Sequence, residues 1–108
     1  MSFSVLLTAD AVNDLGDIYE HVARHDSPGK ADHILTHFEE IFGSLSEFPE
    51  RGVYTKELLA LGIRDYREIF FKPYRIIYRI TGGKVYILLI TDGRRDMQSL
   101  LQRRLLEQ

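Results

Sequence analysis

Residues 74 to 91 read Tyr74-Arg75-Ile76-Ile77-Tyr78-Arg79-Ile80-Thr81-Gly82-Gly83-Lys84-Val85-Tyr86-Ile87-Leu88-Leu89-Ile90-Thr91. The first seven alternate: Tyr74, Ile76, Tyr78 and Ile80 fall on one side of an extended chain, Arg75, Ile77 and Arg79 on the other. That is the period of a β-strand. Gly82 and Gly83 tolerate the positive φ angles of a tight hairpin turn. Val85 to Thr91 is apolar on both faces, as suits a central strand.

Upstream, Ile63 to Phe71 reads as a further strand, turned into the hairpin by Lys72-Pro73. Pro49 to Gly62 is a connecting loop with a helical turn around Lys56 to Ala60. Two amphipathic helices precede it. Thr8 caps the first and Asp10 sits in its first turn, where an acid is favourable; Val12, Leu15, Ile18, Tyr19 and Val22 follow at helical spacing. Ser27-Pro28 opens the second, whose stripe is Ala31, Ile34, Leu35, Phe38, Ile41, Phe42 and Leu45, ended by Phe48-Pro49. A short turn makes the two an antiparallel hairpin, and neither buries its stripe without a flat partner. Ser2 to Leu7 alternates as a first strand, and Asp96 caps a last helix bearing Met97, Leu100, Leu101 and Leu105. The order β-α-α-β-β-β-α predicts one α+β domain over residues 1–108, a mostly antiparallel sheet packed against a helical hairpin.

Composition limits the function classes. With 44% hydrophobic and 28% charged residues the 108-residue chain is ordinary for one folded domain. No apolar run reaches bilayer length, so no membrane partner is expected, and no basic-plus-apolar leader opens the chain, so the expectation is cytoplasmic. With 0 Cys there is no disulfide, no thiolate metal site and no cysteine nucleophile. Charge is split. Residues 1–60 carry 4 Lys+Arg against 11 Asp+Glu, and residues 61–108 carry 10 against 5. The basic half can meet nucleic acid or an acidic protein; alternatively the halves neutralise each other.

All 4 His lie in the acidic half, as the i,i+4 pairs His21/His25 and His33/His37. Imidazole is a common metal ligand, but no HExxH motif or third ligand accompanies them. The expectation is surface histidines, no metal and no cofactor. Asp92-Gly93-Arg94-Arg95-Asp96 places two guanidiniums where a strand meets a helix. They either grip a phosphate or carboxylate or pair with Asp92, Asp96 or the last helix. Arg75 and Arg79, with Arg67, either form a basic strip on the sheet side away from the helical hairpin or pair with Asp65 or Glu68 across the strands.

The strand, helical hairpin, Tyr74-Arg75-Ile76-Ile77-Tyr78-Arg79-Ile80, Gly-Gly turn, apolar strand and Gly93-Arg94-Arg95-Asp96 with a leucine-rich tail together resemble the RelE/ParE superfamily of toxins from type II toxin–antitoxin systems. The resemblance covers nearly the whole chain. It implies a toxin of one of two kinds, cleaving mRNA on the ribosome (RelE-like) or poisoning DNA gyrase (ParE-like). It also implies neutralisation by an antitoxin through which alone operator DNA is contacted. RelE-like nucleases carry basic residues at positions resembling Arg67, Arg75 and Arg95, an aromatic or histidine proton carrier where this chain has Leu101, and a second lysine near Ile69. Cleavage by a 2′-hydroxyl needs proton carriers as well as charge stabilisation, and arginine stays protonated.

The resemblance therefore points to the ParE-like branch, a non-enzymatic gyrase inhibitor causing growth arrest. Target engagement is expected from Arg64, Arg67, Arg75, Arg94 and Arg95, and antitoxin binding from Leu100, Leu101, Leu105, Val12, Leu15 and Tyr19. The alternative is an mRNA endonuclease using Arg67, Arg75 and Arg95; a third is a non-toxic antitoxin-binding co-repressor.

Overall fold

The computed structural model describes residues 2–106, with side chains through Leu105; the Leu106 side chain and Glu107 lie outside the described residues. The elements are β1 (Ser4–Leu7), α1 (Ala9–His25), α2 (Pro28–Glu47), β2 (Val53–Tyr54), α3 (Lys56–Leu59), β3 (Arg67–Phe71), β4 (Tyr74–Thr81), β5 (Lys84–Asp92) and α4 (Met97–Leu101), which continues as a π-helical turn over Gln102–Leu106. The caps are those the sequence announces. Thr8 Oγ1 accepts from Ala11 N–H at 3.1 Å, Ser27 Oγ from Lys30 N–H at 3.1 Å and Asp96 Oδ1 from Ser99 N–H at 3.2 Å. Gly82 (φ +53°) and Gly83 (φ +79°) form the β4–β5 turn, a conformation costly for residues with a Cβ.

The sheet order is β1-β5-β4-β3-β2. The antiparallel β3-β4-β5 portion follows the expected pattern. Two pairings do not: β2, within the stretch read as connecting loop, adds an antiparallel edge to β3, and β1 runs parallel to β5, pairing Ser4 with Lys84 and Leu7 with Ile87. The sheet is therefore mixed, because the two-helix excursion returns the chain to the opposite edge. A further difference lies at Ile63–Tyr66, read as strand but irregular. Ile63 N–H closes α3 onto the Leu58 carbonyl, and Thr55 N–H bonds the Tyr66 carbonyl. Ile63 and Tyr66 thereby turn inward against α4.

Both faces of the sheet are covered. The helical hairpin packs on one, around Phe38, Ile41, Leu45, Ile76, Tyr78, Val85 and Ile87. On the other, α3 and α4 enclose Leu58, Ile77, Leu89, Met97, Leu100 and Leu101. Ile76 and Ile77 thus enter opposite cores, as strand alternation requires. Leu88 is an extra residue in β5: Ile77 pairs with Leu89 and Tyr78 with Ile87, a bulge that bends the strand.

Beyond Ile87, β1 no longer flanks β5, and side chains take its place. Ile90 N–H donates to Asp14 Oδ2 at 3.0 Å, while Arg104 Nη1 donates to the Leu88 carbonyl at 2.9 Å and pairs with Asp14 at 2.9 Å. Buried backbone groups need such partners. This clip ties α1, the β5 edge and the C-terminal turn together.

Candidate functional site

The arginines expected to act together are distributed over three environments. Arg75 is the most constrained. Its Nε donates to Glu68 at 2.6 Å, its Nη2 to Glu68 at 2.6 Å and Glu57 at 2.7 Å, and its Nη1 to Glu57 at 3.0 Å. Its side chain is 7% exposed and that of Glu68 is 1% exposed. The two carboxylates hold its pKa above even the usual arginine value. Its stem passes beneath Gly93, where an added Cβ would lie 2.9 Å from Arg75 Cδ. The glycine before the twin arginines is therefore required by Arg75. Pairing with Glu68 was the alternative left open by the sequence; Glu57, on α3, had no local signal.

Arg67 and Arg75 do not share a face. Arg67 stands opposite Tyr78, in the hairpin-side core, whereas Arg75 lies on the side of Ile77 and Glu68. The continuous strip Arg67–Arg75–Arg79 is thus not formed, because Arg67 and Arg75 fall on opposite parities of paired strands. Arg67 is held by neutral groups: Nη1 donates to the Gly52 carbonyl at 2.9 Å and the Glu50 carbonyl at 3.3 Å, and the guanidinium lies 4.5 Å from the Tyr54 ring centre. It shares a concavity with Arg64 and Arg79. Arg94 and Arg95 lie near the other end of β4, beside Tyr74. Five residues of strand, roughly 17 Å, separate that end from Arg79.

Arg94 is 82% exposed and forks onto Asp92, with Nε at 2.9 Å and Nη2 at 2.5 Å. Its guanidinium, helped by its backbone N–H, pulls the Asp92 carboxyl down to about 2. Arg95 is exposed and forms no ion pair among the described residues. Both line a 460 Å³ cleft with Asp14, Asp17, His21 and Tyr74.

Residues 5–97 match the family model for the ParE toxin of the type II toxin–antitoxin system parDE. The chain belongs to the ParE toxin family. Toxin ParE3 of Caulobacter vibrioides is 31% identical over 97 residues, spanning 90% of this chain and 93% of that one. The fold is that of a chain in the chromosomal ParDE system of P. aeruginosa (TM-score 0.69, 22% identity, 84% of this chain and 96% of that chain). It is also that of a chain in the toxin–antitoxin complex RelBE2 of Mycobacterium tuberculosis (TM-score 0.59, 24% identity, 85% and 92%).

In this ParE-family chain, the positions where the nuclease pattern has a proton carrier and a second lysine are apolar and buried: Leu101 is 2% exposed and Ile69 is 7% exposed. Tyr74, the tyrosine beside Arg94 and Arg95, has its hydroxyl pKa raised by burial and by the Asp92 carboxylate, so it stays protonated and is a poor base. Tyr78 is buried with its hydroxyl donating to the Pro49 carbonyl at 2.6 Å.

The apolar residues expected to meet an antitoxin also divide. Leu100 and Leu101 are mostly core residues under the sheet, 9% and 2% exposed, because α4 closes the second face; Leu101 still borders the groove between α3 and α4. Leu15 and Tyr19 are half-buried, and Val12 is 53% exposed. Leu105 lines a 270 Å³ groove between α3 and α4 with Leu58, Leu61, Ile63 and Tyr66; Leu61, 63% exposed, carried no sequence signal beyond its place in a loop. The four histidines line a single cleft between α1, α2 and Lys72–Tyr74. His21 and His25 stack at 4.2 Å and His37 stacks on Phe71 at 4.0 Å. No three metal-ligating side chains converge among the described residues.

Proposed function

We propose that this ParE-family toxin acts by binding, that its target is DNA gyrase, and that a cognate antitoxin holds it inactive. The observation that carries the reading is the state of Arg75. A guanidinium buried between Glu57 and Glu68 has its donors already engaged, and breaking such a pair to reach a phosphate leaves buried carboxylates uncompensated. Of the three arginines at nuclease-like positions, only Arg95 stands exposed without a carboxylate. Leu101 and Ile69 offer nothing to carry a proton. Exposed arginines can still recognise a partner by bidentate contacts, and they project from a turn on a rigid sheet, where binding groups are commonly placed. The antitoxin is assigned to the groove of Leu58, Leu61, Ile63, Tyr66 and Leu105, continuous with the apolar side of α4; an amphipathic segment fits such a groove.

Purified toxin should block supercoiling by gyrase and leave mRNA in a translating ribosome uncut. Codon-dependent mRNA cleavage with gyrase untouched assigns the nuclease reading instead. Harmless expression without an antitoxin assigns the co-repressor reading.

A further inference from the structure

Arg24, Arg75, Arg94 and Arg104 each hold a carboxylate. Arg64, Arg67 and Arg79 do not, among the described residues, and these three line one concavity of about 280 Å³ with Tyr54, Asp65 and Ile80. Arg67 is fixed there by backbone carbonyls and the Tyr54 ring. Arg79 lies 5.6 Å from the Tyr66 ring centre, and its Nε is buried with no acceptor among the described residues. No carboxylate neutralises these three guanidiniums among the described residues, so the surroundings favour an anionic ligand. Asp65 is the one carboxylate on the rim, exposed and unpaired among the described residues, so three guanidiniums outweigh it.

We propose that the Arg64–Arg67–Arg79 concavity is a phosphate site that takes a backbone phosphate of a nucleic acid strand. A carboxylate is satisfied by one guanidinium fork, as Arg94 and Asp92 show within this chain. Three guanidiniums on one cavity carry more positive charge than a single carboxylate balances and suit a phosphate, which arginine recognises by bidentate contacts. Among the described residues, Arg64 and Arg79 have their forks free of carboxylates, and Arg67 is already held by backbone carbonyls. Tyr54, 40% exposed, places an aromatic ring beside the charge, the pairing by which proteins hold single strands through backbone and base together. The site stands apart from Arg94 and Arg95 and shares Arg64 and Arg67 with the set expected to engage the target.

The test is fluorescence anisotropy of a short labelled DNA strand with the full-length toxin at several salt concentrations. Binding should weaken with salt. In the variant Arg64→Ala/Arg79→Ala the log–log salt slope should flatten by about 0.7, the one phosphate contact that the site supplies to a single strand, with affinity reduced roughly tenfold or more. Arg24→Ala, on α1 and paired with Glu20, should leave that slope unchanged. Arg64→Ala alone, at an exposed loop position, should flatten it in the same direction by up to about 0.7 and serves if the double variant misfolds. No binding at low salt, or an unchanged slope in the folded Arg64 variants, overturns the site. Displacement by polyglutamate as effective as by polyphosphate overturns the phosphate assignment in favour of an acidic protein segment. Displacement by inorganic phosphate at matched phosphate concentration overturns the nucleic-acid assignment in favour of the free anion.

Discussion

Replacing Arg75 by alanine should destabilise the toxin severely, and the size of the effect follows from its two carboxylates. Glu68 is 1% exposed at its side chain and, among the described residues, has no cation but Arg75 within salt-bridge range; Glu57 is 18% exposed. Removing one partner of a buried ion pair costs about 3–5 kcal/mol, because the remaining charge keeps its desolvation penalty. For 108 residues, an unfolding entropy of about 2.1 cal/mol/K per residue turns about 4 kcal/mol into a Tm drop of roughly 18 °C. Arg75→Met/Glu68→Met removes the two deepest charges and should recover most of the loss, since buried pairs exchange for apolar residues at little cost and the remaining Glu57 is 18% exposed.

The pH dependence has a definite sign. Arg75 holds the Glu57 carboxyl below its ordinary value, chiefly by hydrogen bonding. A carboxyl depressed on folding stabilises above its unfolded pKa, about 4.3 for glutamate, and that stabilisation is lost as pH falls through the lower folded value. Glu57→Gln should therefore lower stability near neutral pH and flatten the acid limb. Thermal and urea unfolding followed by circular dichroism measures all three variants. An Arg75→Ala loss below about 1 kcal/mol, the range of an exposed pair, would refute the sealed arrangement and reopen Arg75 as a phosphate ligand.

Gly93→Ala should cost about 1–3 kcal/mol by overpacking, because Arg75 is pinned at both ends and its Cδ cannot withdraw from a new Cβ at 2.9 Å; a urea midpoint equal to that of the native chain would contradict this. In an NMR titration the Asp92 carboxyl should protonate near pH 2 and return towards the ordinary aspartate range in Arg94→Ala; an ordinary value in the native chain would show that the fork does not persist in solution. Asp14→Ala strips partners from Ile90 N–H and Arg104, with an expected loss of about 1–3 kcal/mol. Hydrogen exchange at Ile90 should accelerate, and unchanged protection there would mean that the clip does not support the β5 edge.

The local elements were readable because their causes are local. Alternation at Tyr74–Ile80, paired glycines at 82 and 83, and caps at Thr8, Ser27 and Asp96 act within a few residues through backbone geometry and hydrogen bonding. The joint pattern of those elements also carried the family. The parallel pairing of β1 with β5 depended on how the whole chain packs, and so did the enclosure of Leu100 and Leu101, since apolar periodicity marks a buried stripe without naming what covers it. The sorting of the arginines was the least legible part. Arg75 is sealed by Glu57, eighteen residues away, and Arg64, Arg67 and Arg79 meet only through antiparallel register and the loop before β3. A guanidinium has the same chemistry wherever it occurs in a sequence. Whether it becomes a buried strut, a surface fork or an open anion site depends on which carboxylates the fold brings within about 4 Å of it, a distance at which desolvation can raise the interaction well above its strength in water.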